Sequence, residues 1–183
     1  MEALLSYQKS ELINGVVYNM APPSIKHERV QRRLTRIIGN FLLKKRCEVF
    51  SESQVKFDKE TKFRPDVFIV CNPDKIKDTY IDGAPDFVVE VLSPSTGKRD
   101  LTVKKDTYEK FGVKEYWIID PKGESITVYI LRNGKYELDE IYHNISDSEW
   151  EELDDEDKAE YRLSLKISLY DDLEIAVKDI FED

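Results

Sequence analysis

Apolar residues alternate between short runs of period two and two stretches of helical period, which predicts strands interleaved with helices. In ELINGVVYNM, Asn14-Gly15 lies between two apolar runs and predicts a type I′ hairpin. Ser24 is placed to cap a helix reaching about Arg46, because Val30, Leu34, Ile37, Ile38, Phe41 and Leu42 recur on one face. CEVFSESQVKF reads as one strand, and FRPDVFIV as a second with Pro65 at its start or edge. Residues 71–84 read as a loop. PDFVVEVL is apolar enough to be covered on both faces, so it is expected to be central in a sheet, with Pro94 as its stop. A second helix spans about Asp100 to Phe111, Gly112 ends it, and KEYWIID follows as a strand, giving a strand, helix, strand unit. SITVYIL and KYELDEIY flank Asn133-Gly134 as another hairpin, and LEIAVKDIF predicts a last strand and a short helix. The whole reads as an α/β fold with a mixed sheet.

Composition narrows the class. With 183 residues and 40% hydrophobic content, a single domain can bury its own core, and 11% aromatics argue against disorder despite 36% charged residues. No apolar stretch approaches the roughly 20 residues of a membrane span, and MEALLSYQKSEL lacks a signal-peptide core, so a cytoplasmic protein with no membrane partner is expected. Cys47 and Cys71 are too few for a disulfide framework or a four-thiolate zinc site, and His27 and His143 are the only histidines, which argues against zinc and haem chemistry. The net charge of −9 is uneven: residues 144–183 carry 4 basic and 15 acidic residues, while the remainder has a net charge of +2. SDSEWEELDDEDKAE, residues 146–160, is an acidic insertion.

The candidate chemistry is carboxylates and lysine. Glu90 interrupts the apolar run of a buried strand, and an unpaired carboxylate there costs several kcal/mol, roughly. It needs either a salt bridge, to Arg64 or Lys104, or a metal. Asp66 follows Pro65 on the preceding strand; if the two strands are neighbours, a carboxylate pair results that suits magnesium or manganese. Asp86 shares Glu90's face by period two and competes as a ligand, although a strand-end position favours solvation. At about 100° per residue from Leu101, Tyr108 falls at about −20°, Lys104 at about −60° and Phe111 at about −80°, so Lys104 lies in the apolar stripe and Lys105 flanks it. Snorkelling is the competing account of Lys104. His27 lies on the first helix's apolar face, where a hydrogen-bonded structural role is favoured over a site role. Arg29, Arg33 and Arg36 form an expected outward stripe able to meet phosphates, although a solvated face is the commoner outcome. G-x-S-x-G and G-x-G-x-x-G are absent, and STGKR fails as a P-loop because Leu92 occupies the first glycine position.

ELINGVV, RPDVFIV, GAPDFVVEVLSPST and DLTVKKDTYEKFGVKEYWIIDP together closely resemble the Uma-type endonuclease family of the PD-(D/E)XK nuclease superfamily. The resemblance covers nearly the whole chain, with VEVLSPST and YWIIDP its most specific parts. It implies a restriction endonuclease-like core, a mixed sheet between helices, and magnesium-dependent phosphodiester hydrolysis of nucleic acid, with DNA the expected substrate and a homodimer the expected assembly. By position it implies Asp66 and Glu90 as acidic metal ligands, Lys104 as the lysine and Glu11 as a further ligand or orienting group. The superfamily's lysine lies two residues after the second acid, where this chain has Leu92; a lysine supplied by the following helix is expected to fill the same space. His27 also matches a family position, and SPST amides are candidates for a phosphate. Two other readings remain: a non-catalytic nucleic-acid-binding or regulatory homodimer, and a metal-dependent hydrolase of small phosphate esters.

Overall fold

The computed structural model describes residues 9–94 and 97–182. It opens with the expected hairpin, β1 (Ser10–Ile13) and β2 (Val16–Asn19), turning through Asn14 and Gly15 at φ 49° and 79°. Helix α1 (Ile25–Leu42) starts as expected, the Ser24 side chain accepting a hydrogen bond from the His27 amide, but ends before Arg46, the chain turning through Lys44 at φ 66°.

CEVFSESQVKF is two strands, not one. β3 (Glu48–Phe50) and β4 (Val55–Lys56) belong to different sheets, and the chain crosses between them through Glu52 at φ 50°. FRPDVFIV divides likewise into β5 (Lys62–Phe63) and β6 (Val67–Val70). The crossing segments are fastened together where the Glu52 amide donates to the Pro65 carbonyl at 3.0 Å. The expected loop at 71–84 contains a 3₁₀ turn (Pro73–Lys75) and the short β7 (Ile81–Asp82). β8 (Phe87–Val91) is buried at all five positions. Next come α2 (Gly97–Arg99), a π-helical turn (Asp100–Lys104), α3 (Lys105–Lys110), β9 (Glu115–Asp120), β10 (Ser125–Arg132) and β11 (Lys135–His143). The acidic insertion forms α4 (Asp147–Glu152) and α5 (Asp155–Glu160), capped by Ser146 and Asp154. β12 (Ser164–Lys166), β13 (Glu174–Ala176) and α6 (Lys178–Phe181) follow.

The larger sheet has the order β11-β10-β9-β8-β6-β3, with β8 parallel to β9 and antiparallel to β6. One face, through Val67, Ile69, Phe87, Val89 and Trp117, packs against Val30, Leu34 and Ile38 of α1 and against the C-terminal segment. The other, through Phe68, Val88, Tyr116 and Ile118, packs against Phe57, Phe63 and Tyr108, which belong to the smaller sheet (β2-β1-β5-β4-β7) and to α3. This is the expected mixed sheet with flanking helices. Cys47 and Cys71, given no joint role by the sequence, form a disulfide between the end of the α1 connection and the end of β6. Among the described residues no helix is long and apolar enough to cross a membrane.

Two expectations require correction. Leu101, the reference for the helical angles, is 49% exposed, because the helix begins with a π turn. Its i→i+5 bonds wind the chain more slowly than 100° per residue and bring Asp100 inward with Lys104. Arg33 is not part of an outward stripe: Arg29 and Arg36 are exposed, but Arg33 is buried, donating to the Phe181 carbonyl at 2.7 Å and the Ile180 carbonyl at 3.4 Å. The carbonyls of α6 claim its guanidinium before any phosphate can. Arg33→Ala is therefore expected to lower stability by about 1.5–3 kcal/mol in urea denaturation, and Arg29→Ala by less than about 0.5 kcal/mol.

Candidate active site

β6 and β8 pair with Val67 opposite Val89, and Asp66, immediately before β6, reaches the Val91 amide, next in the chain to Glu90. Asp66 is fixed from two sides. Its Oδ2 accepts from the Val91 amide at 2.7 Å and lies 3.2 Å from His27 Nε2, while its carbonyl accepts from Gln31 Nε2 at 3.1 Å. Glu90 Oε1 accepts from the Tyr108 hydroxyl at 2.5 Å and from Lys104 Nζ at 3.0 Å. Each carboxylate thus commits one oxygen to the protein. Asp66 Oδ1 and Glu90 Oε2 meet no hydrogen-bond donor among the described residues, and both side chains line a cavity of about 40 Å³ with His27, Glu52, Arg64 and Lys104.

Lys104 is 2% exposed and reaches three anions: Glu11 Oε1 and Glu90 Oε1 at 3.0 Å and Asp100 Oδ1 at 3.4 Å. Snorkelling is excluded by that burial. Glu11, on β1, also accepts from the Arg64 amide at 2.9 Å, so the hairpin sheet joins the site through one carboxylate. Burial opposes the lysine's charge, but Glu90, Glu11, Asp100 and Asp66 outweigh it and hold the ammonium pKa well above its ordinary value. Three anions around the ammonium thus favour the charged form of Lys104 in this arrangement. Burial pushes Glu90 well above the usual carboxylate range, with Lys104 opposing and Asp100, Asp66 and Glu11 reinforcing. These tendencies conflict, since the raised lysine requires anionic partners. The ammonium of Lys104 at 3.0 Å and the Tyr108 hydroxyl both donate to Glu90 Oε1, an arrangement that favours the anionic form opposite a charged lysine. For His27, burial alone would lower the pKa, but the hydrogen bond to Asp66 and its charge, with Glu52 and Asp100, raise it.

Asp66, Glu90, Lys104 and Glu11 are thus brought together. Asp86 is not: its Oδ2 accepts from the Cys71 amide at 2.9 Å and its Oδ1 lies 3.2 Å from Lys114 Nζ, at the other end of the strand. Lys105 turns away, its Nζ 4.2 Å from the Tyr129 ring centroid. Ser95 and Thr96 of the SPST loop lie outside the described residues. His27 belongs to the cavity wall as well as to the core. Asp100 went unnoticed, although its i,i+4 spacing from Lys104 was the available signal. Tyr108 was counted only as core. Among the described residues, no group of three or more His, Cys, Asp or Glu side chains is arranged to hold a metal ion, Lys104 occupying the centre of the acidic cluster.

A mixed sheet with flanking helices, holding Asp66 and Glu90 near a lysine from the next helix, defines an α/β domain with an acidic, lysine-centred site. The fold matches the crystal structure of a "putative nuclease belonging to DUF820" from Anabaena variabilis, with a TM-score of 0.72 over 94% of this chain and 89% of that one, at 22% identity. The model of the Uma2 family, described as "Putative restriction endonuclease", matches residues 1–155, and the chain belongs to that family. Two uncharacterized proteins of Synechocystis sp. are similar: slr1290, 29% identical over 78% of this chain and 70% of its own, and sll1609, 28% identical over 62% and 67%.

Removing the lysine tests the cluster. Its raised pKa adds stability that is fully present below the ordinary 10.5 and lost as pH rises through the folded value. Lys104→Met leaves buried carboxylates uncompensated and is expected to cost about 3–5 kcal/mol near neutral pH. Without the opposing lysine, Glu90 moves further upward from its ordinary 4.5, and the deficit grows as pH rises from 4.5 through that value. Urea denaturation at about pH 5 and about pH 8 should find the smaller loss at the lower pH.

Proposed function

We propose that the protein is a divalent-cation-dependent endonuclease that hydrolyses phosphodiester bonds in DNA. One observation carries this reading: Asp66 and Glu90 line one cavity, each with one carboxylate oxygen anchored by the protein, Asp66 Oδ2 by the Val91 amide and Glu90 Oε1 by Tyr108 and Lys104. Hard oxygen donors of this kind fit magnesium or manganese, and Glu11 and Asp100 add to the local excess of negative charge. Bound there, such a cation supplies Lewis-acid polarisation of a phosphate and acidifies a water.

The chain's own residues do the rest. Asp66 and Glu90 hold the cation, each kept in orientation by its second oxygen. Lys104 fixes Glu90 and Glu11, offsets negative charge gathering at the phosphate, and is the candidate to orient or deprotonate the water. Hydrolysis adds the water oxygen to phosphorus and releases one ester oxygen as an alcohol. The exposed Arg29 and Arg36 are the remaining candidates from the basic helix for backbone phosphates. The homodimer stays part of this reading, whereas the Cys47–Cys71 disulfide favours an oxidising compartment over the cytoplasm.

The second reading, a non-catalytic nucleic-acid-binding homodimer, draws on Lys104, which already meets Glu90, Glu11 and Asp100 with no metal required. Calorimetric titration with Mn²⁺, alongside cleavage of supercoiled and linear DNA, separates the two. Wild type is expected to bind Mn²⁺ and cleave, and Asp66→Asn or Glu90→Gln to reduce both by at least about 100-fold. Nucleic-acid binding that is indifferent to Mn²⁺, with no cleavage, would establish the non-catalytic reading instead.

A further inference from the structure

We infer that Tyr108 is a positioning residue of this site: its hydroxyl holds Glu90 Oε1 and so directs Glu90 Oε2 to the cation. The inference rests on the divalent-cation reading above. Tyr108 is fully buried, and its ring is fixed among Phe57, Phe63 and Tyr116, with centroids 5.7, 5.6 and 5.0 Å away. The hydroxyl therefore has one place to be, 2.5 Å from Glu90 Oε1.

Lys104 donates to the same oxygen at 3.0 Å, but it cannot define the carboxylate's rotation alone. Its ammonium is a rotating donor on a four-carbon stem, shared with Glu11 and Asp100. A phenol on a clamped ring supplies a single direction. Tilting the Glu90 carboxylate away from Tyr108 would break that bond and leave a buried hydroxyl without an acceptor.

Mn²⁺ calorimetry and steady-state DNA cleavage on wild type, Tyr108→Phe and Phe57→Leu test this. Tyr108→Phe keeps the ring and is expected to weaken Mn²⁺ affinity roughly 10- to 100-fold and to lower kcat with little change in KM for DNA. Phe57→Leu loosens the same cluster without removing the hydroxyl; it is expected to lower Tm and leave Mn²⁺ affinity near wild type. Wild-type Mn²⁺ affinity in Tyr108→Phe would overturn the inference while leaving the cation reading intact. An equal loss of affinity in Phe57→Leu would reassign the effect to packing and overturn it too. Absence of Mn²⁺ binding in wild type would overturn the cation reading, and this inference with it.

Discussion

Burying an ammonium group costs several kcal/mol unless anions meet it, roughly, and Lys104 is met by three. Glu11 comes from the first hairpin, Glu90 from the centre of the larger sheet and Asp100 from the π turn that also carries the lysine. The two sheets, built from non-contiguous strands, are therefore registered on one charge. Displacing the hairpin, sheet or helix would strand an ion in an apolar interior. The same group that organises the site also organises the fold, and substitutions there act on both.

The parts of this architecture legible in the sequence are those with a local physical signature. Asn-Gly pairs at positions 14–15 and 133–134 turn with positive φ because these residues tolerate it. The apolar run around Glu90 is central because a sheet covered on both faces needs such a run. The pairing of Asp66 with Glu90 was legible once β6 and β8 were taken as neighbours. The division of two predicted strands between sheets was not, since Ser51–Ser53 and Arg64–Pro65 differ little from ordinary polar interruptions within one strand. The π turn was equally hidden: a regular helix puts Leu101 inside, whereas Asp100 is buried beside Lys104, whose ammonium is held by Glu11 and Glu90 of the two sheets. Arg33 was read from a helical wheel, which cannot see that α6 returns from residues 178–181 to lie against it.

Supplying the lysine from a helix has its own physical effect. A lysine two residues after Glu90 on the strand would share its face and track it rigidly. Here Leu92 takes that position, and the cation arrives along the flank of a helix whose first turn is irregular. The position of the charge thus depends on helix geometry, while the carboxylates depend on strand register. Tyr108, one turn beyond Lys104, connects the two by touching the carboxylate from the same helix.

The Cys47–Cys71 disulfide closes a covalent loop around a particular stretch of chain, with Glu52, Arg64 and Asp66 all inside it. By the chain-entropy account, closing a loop with a sequence separation of 24 removes freedom from the unfolded chain equivalent to about 3 kcal/mol. The segment supplying Asp66 and the crossings between the sheets is therefore tethered even when unfolded. The folded population then becomes a function of ambient thiol potential, although neither sulfur reaches the cavity. A medium that reduces the pair would leave every contact of the site available yet lessen the fraction of molecules that assemble it.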